Sequence, residues 1–582
     1  MSFLGVERSL TGRQWLGPGV ETDRAAERLA QQTGLARAVA QVLARRGVEA
    51  AAAEGFLAPS IRELLPDPRH LKDMETAAAR FCAAVDGRER IAIFADYDVD
   101  GGASAALLLD WLGQTGRPAT LYVPDRIDEG YGPNEPAMRA LAEAHDLIVC
   151  VDCGTLSHEP IAAADGADVI VLDHHLGGET LPDCVAVVNP NRQDESGDLA
   201  DLCAAGVVFL MLVEVNRQRR DAGHGDGPQL MAMLDLVALA TVADVAPLVG
   251  VNRAFVVQGL KVMARRERPG LVALADVARM ETAPAPYHLG FLLGPRVNAG
   301  GRIGKADLGA RLLACHDPRE AQALAERLDQ LNTERREIEE AVRAAALAQA
   351  EDRGLDAPLV WAAGEGWHPG VVGIVASRLK EVTGRPAVVI GLEGGEGKGS
   401  GRSVSGIDLG AAVQRLAREG LLLKGGGHKM AAGLTVARDR LEPAMTRLSD
   451  LLAKQGAGDL GPRALRLDGV LMPGAASVEM IEALEAAGPY GAGAPAPRFA
   501  FPDCQVLFTR RVGDAHLKVS VGDGLGARLE GIAFGAYDNG LGQALEAHGG
   551  QRFHVAGRLE LNHWRGRVTP QLRLEDAAPA GS

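Results

Sequence analysis

The sequence predicts an α/β protein: a doubly wound parallel-sheet domain, a long helix joining it to a smaller α/β domain, and a C-terminal β-barrel. Three observations lead there. Short apolar runs rich in Val and Ile, at 91–95, 147–151, 169–172 and 185–188, alternate with helical segments, the pattern of buried parallel strands. The stretch from about Pro318 to Arg353 is helical and highly charged, which reads as a rigid connector rather than core. From Ala464 to Asp576 come short, Gly-punctuated strand runs such as CQVLFTRRV, LKVSV, FHVAGRLEL and GRVTPQLRLED, which suit a small barrel.

At 582 residues the chain exceeds one ordinary core. The divisions read are a helical lead-in at 1–75, the parallel-sheet domain at 76–250, a helical connector at 251–354, the second α/β domain at 355–455 and the barrel at 462–577. No run of about 18 apolar residues exists to form a membrane helix. The start, MSFLGVERSLTGRQW, carries charges in place of an apolar signal core, so a cytoplasmic location is expected. Seven cysteines, odd and sparse, fit reduced thiols. A net charge of -15 excludes coating nucleic acid by charge alone, though not a nucleic-acid enzyme with a local basic groove.

Chemistry gathers where the strand runs end. The run 91–95 is followed by Asp96, Asp98 and Asp100; the run 147–151 by Asp152 in VDCG; the run 169–172 by Asp173, His174 and His175. In doubly wound sheets ligands bind outside the carboxyl ends of the strands. Asp235 and Asp244 follow in the otherwise apolar LDLVALATVADVAPL, where a buried carboxylate needs a partner. Crowded carboxylates repel unless a cation sits among them. Aspartate and histidine without a thiolate set suit Mn²⁺ or Mg²⁺, and the ligands suffice for two ions. Two ions about 3.5–4 Å apart activate water and stabilise an in-line phosphoryl displacement, so the residues read as a two-metal phosphoesterase.

Other segments carry weaker signals. Cys150 and Cys153 match CxxC, but Cys150 lies inside a strand run and no second pair follows, so a structural role is read. GGEGKGSG around Lys398 lacks phosphate-loop spacing and reads as a turn between strands VVIGL and RSVSG. In GPRVNAGGRIG, Arg296 and Arg302 stand among small residues that let a phosphate approach. KGGGHKMAAG sets three glycines beside His428, and from Glu396 to Met430 basic residues outnumber acidic ones. In the tail, which fits an OB-fold, Arg510, Arg511, Lys518, Arg565 and Arg567, with Trp564, are candidates for a single-strand track.

ADYDVDG, VDCG, DHH and ATVADVAPL, in that order, resemble the four motifs of the DHH phosphoesterase superfamily. WHPGVVGIVASRL, SGRSV and GGGHKMAAG resemble its DHHA1 companion domain. With GPRVNAGGRIG and the barrel, residues 75 to 576 are similar to the branch of bacterial single-strand-specific exonucleases. The resemblance implies hydrolysis of single-stranded DNA from the 5′ end, releasing nucleotides in repair and recombination, with Mn²⁺ or Mg²⁺. It implies Asp98, Asp100, Asp152, His174 and Asp244 as metal ligands, with Asp152 bridging and Asp96 beside them. Phe94 stands where the superfamily often has histidine. His175 would contact the scissile phosphate or the metal shell, oriented with His174 by Asp173. Arg296 or Arg302, with Ser400, Arg402 and His428, would anchor the 5′ phosphate. A helicase and a single-strand-binding protein are partners by analogy, and a monomer is expected. Two alternatives stay open: a small-molecule phosphatase or short-oligonucleotide hydrolase, and a DNA-binding scaffold without catalysis.

Overall fold

The computed structural model describes residues 2–126, 128–458, 461, 463–564 and 566–581, the side chain of Trp564 excepted. Two units emerge, residues 64–460 and residues 1–63 with 461–582.

In the larger unit, strands β1 (Ile91–Ala95), β2 (Ala119–Tyr122), β3 (Leu147–Val151), β4 (Asp168–Leu172) and β5 (Ala186–Val188) form one parallel sheet in the order β2-β1-β3-β4-β5. Every residue of β1 and β3 is buried, as in strands covered on both faces. The edge strand β2 escaped the apolar-run reading because ATLY is partly exposed along its length. The chain passes from β1 to β2 on one side and returns to β3 on the other, so the order reverses between β1 and β3. That is the crevice where such sheets hold ligands.

Helices α1 (Val99–Gln114), α2 (Ala204–Asp221) and α3 (Leu234–Ala243) pack together beside this sheet. A continuous helical rod from Pro286 to Ile303 includes a π-type turn at Leu289–Leu293 and ends in α4 (Gly294–Ile303). Helix α5 (Pro318–Arg353) starts at the Asp317 cap, whose carboxylate accepts from the amides of Arg319 and Glu320. Its length matches the expected connector. It also buries Leu324, Leu328 and Leu331 early and Val342 and Ala346 later, packing on α4 and on the helix Pro369–Thr383 (α6) in turn. It is therefore a spine shared by two cores.

The second sheet joins β6 (Val360–Glu365), β7 (Ala387–Glu393), β8 (Glu396–Arg402), β9 (Lys424–His428) and β10 (Ala431–Ala437) in the order β9-β10-β8-β7-β6, with only β6 and β7 parallel. Here the sequence reading needs correction: β8 is the glycine-rich segment itself, not RSVSG. Its alternate glycines make room for core side chains. A Cβ on Gly397 or Gly399 would lie 2.8 or 2.7 Å from Ile390, and one on Gly401 would lie 2.7 Å from Leu409.

In the smaller unit, strands Phe499–Val512, His516–Gly522, Arg528–Ala533, Arg567–Pro579 and Arg552–Trp564 pair in that order, and the last pairs with the first to close a five-stranded barrel. Of the helical lead-in read at 1–75, residues 1–63 group with the barrel. Gln14–Leu16 pairs in parallel with Ala464–Arg466, and the buried Trp15 Nε1 donates to Asp576 Oδ2 at 2.9 Å. Val39, Val42 and Leu43 on the helix Arg37–Arg45 join the same apolar cluster as Phe499, Phe501 and Phe553. A nine-residue amphipathic helix cannot bury that face alone. Among the described residues, no helix is long and apolar enough to cross a membrane.

Candidate metal centre

Asp98 caps α1: its Oδ1 accepts from the amides of Asp100 at 2.9 Å and Gly101 at 3.1 Å. This turns the chain straight from β1 into the helix and points Asp96, Asp98 and Asp100 around one crevice. The carboxylate of Asp100 in turn receives the first amides of α2, from Ala204 at 2.7 Å and Ala205 at 2.8 Å. At the end of β3, Asp152 takes the left-handed backbone, at φ 61°, and after α3 comes Asp244. Three overlapping groups have ligand atoms within 4.8 Å of one another: Asp152 with His174 and His175; Asp100 with His174 and Asp244; and Asp96 with Asp98 and Asp152. His174 Nε2 lies 3.3 Å from Asp152, 3.7 Å from Asp100 and 3.8 Å from Asp244.

The electrostatics show what the cluster lacks. Asp96 Oδ1 and Asp152 Oδ1 are buried without a hydrogen-bond donor. Burial, and then the neighbouring carboxylates, raise Asp96 and Asp152 well above the ordinary aspartate range. Asp100 is raised by burial, and Asp244 is pushed up to about 8 by burial and then by Asp100 and Asp98. Buried carboxylate oxygens without donors, beside imidazole nitrogen, are an oxygen-rich donor set that fits divalent Mn²⁺ or Mg²⁺. Asp96, with its orphan oxygen, is grouped with Asp98 and Asp152.

The DHH turn is held from behind. Asp173 accepts from Thr155 Oγ1 at 2.7 Å and from the amides of His174 at 2.7 Å and His175 at 3.1 Å. His175 Nδ1 lies 2.8 Å from the same carboxylate. Burial would raise Asp173, but these bonds, led by that from His175, hold it low. Burial would likewise lower His175, yet Asp173 and then Asp244 and Asp96 carry it up to about 9. Asn189 and Asn191, in the VVNPN that ends β5, donate to the carbonyls of His175 and His174 at 2.8 and 2.6 Å. Sequence reasoning missed Tyr131, whose hydroxyl donates to the Asp152 carbonyl at 3.0 Å and lies 3.1 Å from His175 Nδ1. Its only sequence signal was an aromatic side chain in the Gly- and Pro-rich loop DEGYGPN.

Asp235 is elsewhere. It sits near the opposite end of α3, where Arg268 Nε donates to it at 2.9 Å while Arg268 Nη1 donates to Asp110 at 2.9 Å.

A group of cations flanks the cluster. Arg302, at the end of α4, is half-buried and donates to the Gly370 carbonyl at 3.0 Å. Burial, and then the charges of Arg126 and Arg335, lower it to about 10, opposed by Asp98. Arg402 is lowered by burial and then by Arg126. It donates to Ser400 Oγ at 2.9 Å, and both side chains face the start of α6, where a Cβ on Gly373 would meet them at 3.1 Å. Arg126, a second residue absent from the motifs, lies over the Tyr97 ring at 5.2 Å. Among the described residues Arg126, Arg302 and Arg402 form no ion pair. Arg296 does: it donates to Asp329 at 2.8 Å and to the Leu292 carbonyl, on a different face of α4. His428 is exposed at the end of β9, opposite Ala431, which pairs in turn with Arg402.

On the barrel, Arg510 and Lys518 are cross-strand neighbours, and Lys518 Nζ lies 3.6 Å from Glu530. The exposed Arg511 covers the Tyr537 ring at 4.1 Å, and Arg567 is exposed at a strand start. Arg565 and the side chain of Trp564 lie outside the described residues.

Comparison with known proteins matches the domains in order. Residues 90–241 match the DHH family N-terminal domain, 356–454 the DHHA1 domain and 467–576 the RecJ OB domain. The single-stranded-DNA-specific exonuclease RecJ of Dickeya dadantii is 39% identical over 89% of this chain and 92% of its own length. RecJ of Escherichia coli is 37% identical over 96% and 98%. The crystal structure of RecJ with Mn²⁺ from Thermus thermophilus superposes with a TM-score of 0.80 at 30% identity, covering 97% of this chain and 79% of that one. RecJ with Mg²⁺ from the same source gives a TM-score of 0.73. With the family's three domains in order and both lengths nearly covered, the chain belongs to the RecJ family of single-stranded-DNA-specific exonucleases.

Proposed function

We propose that this chain is a metal-dependent exonuclease that hydrolyses single-stranded DNA from the 5′ end and releases nucleotides. The observation that carries the reading is one juxtaposition. A carboxylate–imidazole cluster with donorless buried oxygens adjoins, across Asp98, arginines that form no ion pair among the described residues. The first suits cations and the second an anion, as a terminal phosphate beside a metal-bound phosphodiester requires.

Asp96, Asp98, Asp100, Asp152, His174 and Asp244 would hold two Mn²⁺ or Mg²⁺ ions; Asp152 and His174 each belong to two of the three groups, and of these only the carboxylate of Asp152 has two oxygens with which to serve both ions. Such ions supply water activation and charge stabilisation for an in-line displacement at phosphorus. His175, kept protonated by Asp173, hydrogen-bonds a non-bridging oxygen of the scissile phosphate and offsets the charge that builds there. Tyr131 fixes the Asp152 carbonyl and the His175 ring. Arg302, Arg402, Ser400 and Arg126 bind the 5′ phosphate, with His428 at the edge. The ion pair with Asp329 leaves Arg296 out of that group. A phosphate clamp at a set distance from the cluster accepts only a chain end, which makes the cleavage exonucleolytic. The barrel, with Arg510, Arg511, Lys518 and Arg567, would track the strand beyond. In repair or recombination the enzyme would act in the cytoplasm beside a helicase and a single-strand-binding protein.

Digestion of 5′- and 3′-labelled single- and double-stranded DNA and RNA with Mn²⁺ tests this. Mononucleotides should leave the 5′ label of single-stranded DNA first. Release from the 3′ label first would overturn the polarity, and cleavage confined to dinucleotides would favour the short-oligonucleotide hydrolase.

A further inference from the structure

Resting on the reading of the cluster as a strand-cleaving centre, we propose that Tyr287 and Phe291 are a stacking platform for the bases just 3′ of the scissile phosphate. These two side chains are 60% and 69% exposed, and their rings stack on each other with centroids 5.3 Å apart at 23°. Exposed aromatic pairs need a reason, because water solvates such faces poorly.

Their position along the rod 286–303 supplies it. Tyr287, Phe291, Gly294, Asn298 and Arg302 follow one another at spacings of four, three, four and four residues, which puts them on one helical face. The lower members of that stripe touch the metal-bearing elements. A Cβ on Gly294 would lie 3.3 Å from Ala243, which precedes Asp244, and 3.9 Å from Val99, between Asp98 and Asp100. Asn298 Oδ1 accepts from the Val99 amide at 3.0 Å. Arg302 ends the stripe in the cation group. At about 1.5 Å rise per residue, Arg302 lies roughly 6 Å along the axis on one side of Asn298 and Phe291 roughly 10 Å on the other. A strand with its 5′ phosphate at Arg302 passes the cluster and reaches Phe291 after roughly 16 Å, about five nucleotides at a stacked spacing of about 3.4 Å and fewer if stretched.

The rim of the cluster has the same character. Val245, directly after Asp244, is 69% exposed and holds φ at 60°, a left-handed backbone that β-branched residues avoid. Leu176, directly after His175, is also 69% exposed. Apolar side chains around a charge-dense centre suit the faces of bases, which stack irrespective of sequence, and phosphates would avoid them.

The test pairs protein and substrate truncations. The substrates are 5′-phosphorylated oligothymidylates of about twenty residues in which one abasic residue is stepped through positions two to six, and a dinucleotide. With the unaltered chain, an abasic residue over the platform should raise KM by at least about fivefold, the scale of one lost base–aromatic stack. In the Tyr287→Ala/Phe291→Ala double variant, KM for the intact strand should rise by that factor with kcat held, and the abasic residue should add nothing further. The ratio of long-strand to dinucleotide kcat/KM should fall. Tyr287→Phe/Phe291→Trp should restore the abasic dependence. Persistence of the original abasic profile in the alanine variant, or proportional loss on the dinucleotide, would overturn the platform. Equilibrium binding of the same oligonucleotides in chelator reads the platform without turnover. Absence of hydrolysis with base-dependent binding would therefore refute the centre and leave the platform standing, and the reverse pattern would do the opposite.

Discussion

Replacing Arg268 with methionine removes the one guanidinium between two buried carboxylates. Arg268, Asp110 and Asp235 are all nearly inaccessible, and both donor–acceptor distances are 2.9 Å. Asp110 lies far along α1 and Asp235 near the start of α3, so the arginine ties together two helices whose other ends carry Asp98, Asp100 and Asp244. Methionine keeps most of the volume, so the loss is electrostatic: two carboxylates stay buried, with His316 2.8 Å from Asp110 and the Leu236 amide 2.9 Å from Asp235. Removing one member of a buried ion pair costs about 3–5 kcal/mol. Hydrogen exchange of peptides from 99–114 and 234–243 should register this as protection lowered by roughly two to four orders of magnitude. Adding Asp110→Asn and Asp235→Asn should recover most of it, because the unpaired charges are then gone. A change below about 1 kcal/mol, or no recovery in the triple variant, would refute the reasoning. The companion measurement is metal stoichiometry of Asp235→Asn, expected to equal that of the unaltered chain; a drop would return Asp235 to the ligand set.

Asp152→Ala should lower hydrolysis by at least about 10³-fold with an unchanged circular dichroism spectrum and fewer bound Mn²⁺ by calorimetry, because it removes a ligand shared by two groups. Arg302→Ala should raise KM for 5′-phosphorylated strands by roughly 10- to 100-fold and erase the preference over 5′-hydroxyl strands, whereas Arg296→Ala, paired with Asp329, should leave that preference intact. In chelator the chain should lose stability from about pH 4 to pH 9. Asp244, raised to about 8, is protonated when folded but ionised when unfolded between its ordinary value and about 8; Asp96, Asp100 and Asp152 are raised in the same direction and add to the loss, and His175, raised to about 9, adds a loss of the same sign above its ordinary value. Thermal melts across that range should show the slope, and Mn²⁺ should flatten it. Deleting 461–582 should leave residues 1–63 open to proteolysis, because Trp15 and Asp576 share one buried site; deleting both segments should yield a protease-resistant 64–460.

The chemistry of the centre was legible in the chain because its ligands sit at fixed offsets from strand ends. A run such as IAIFA cannot avoid being a buried strand, and in a parallel sheet its carboxyl end opens into the crevice, so Asp98, Asp100, Asp152 and His174 converge whatever the details. Gly-rich segments were read less well: EGKGSGR looks like a turn by composition and is a strand because Ile390, Leu434 and Leu409 occupy the places its missing side chains leave. Amphipathic helices near the amino terminus were recognised as helices, but what covers their apolar face is a barrel more than 400 residues later, which periodicity cannot report.

Tertiary structure alone decided the rest. It separated Arg302 from Arg296, since only the fold pairs the latter with Asp329, and it removed Asp235 from the ligands by supplying Arg268. It brought in Arg126 and Tyr131 from a loop with no motif. It also showed Asp96 holding a buried oxygen with no donor, as Asp152 does. By itself the sequence determined the kind of chemistry, because ligand type and strand-end position are local properties. Which side chain meets which partner depends on burial and on segments distant in the chain, and those exist only once the chain has folded.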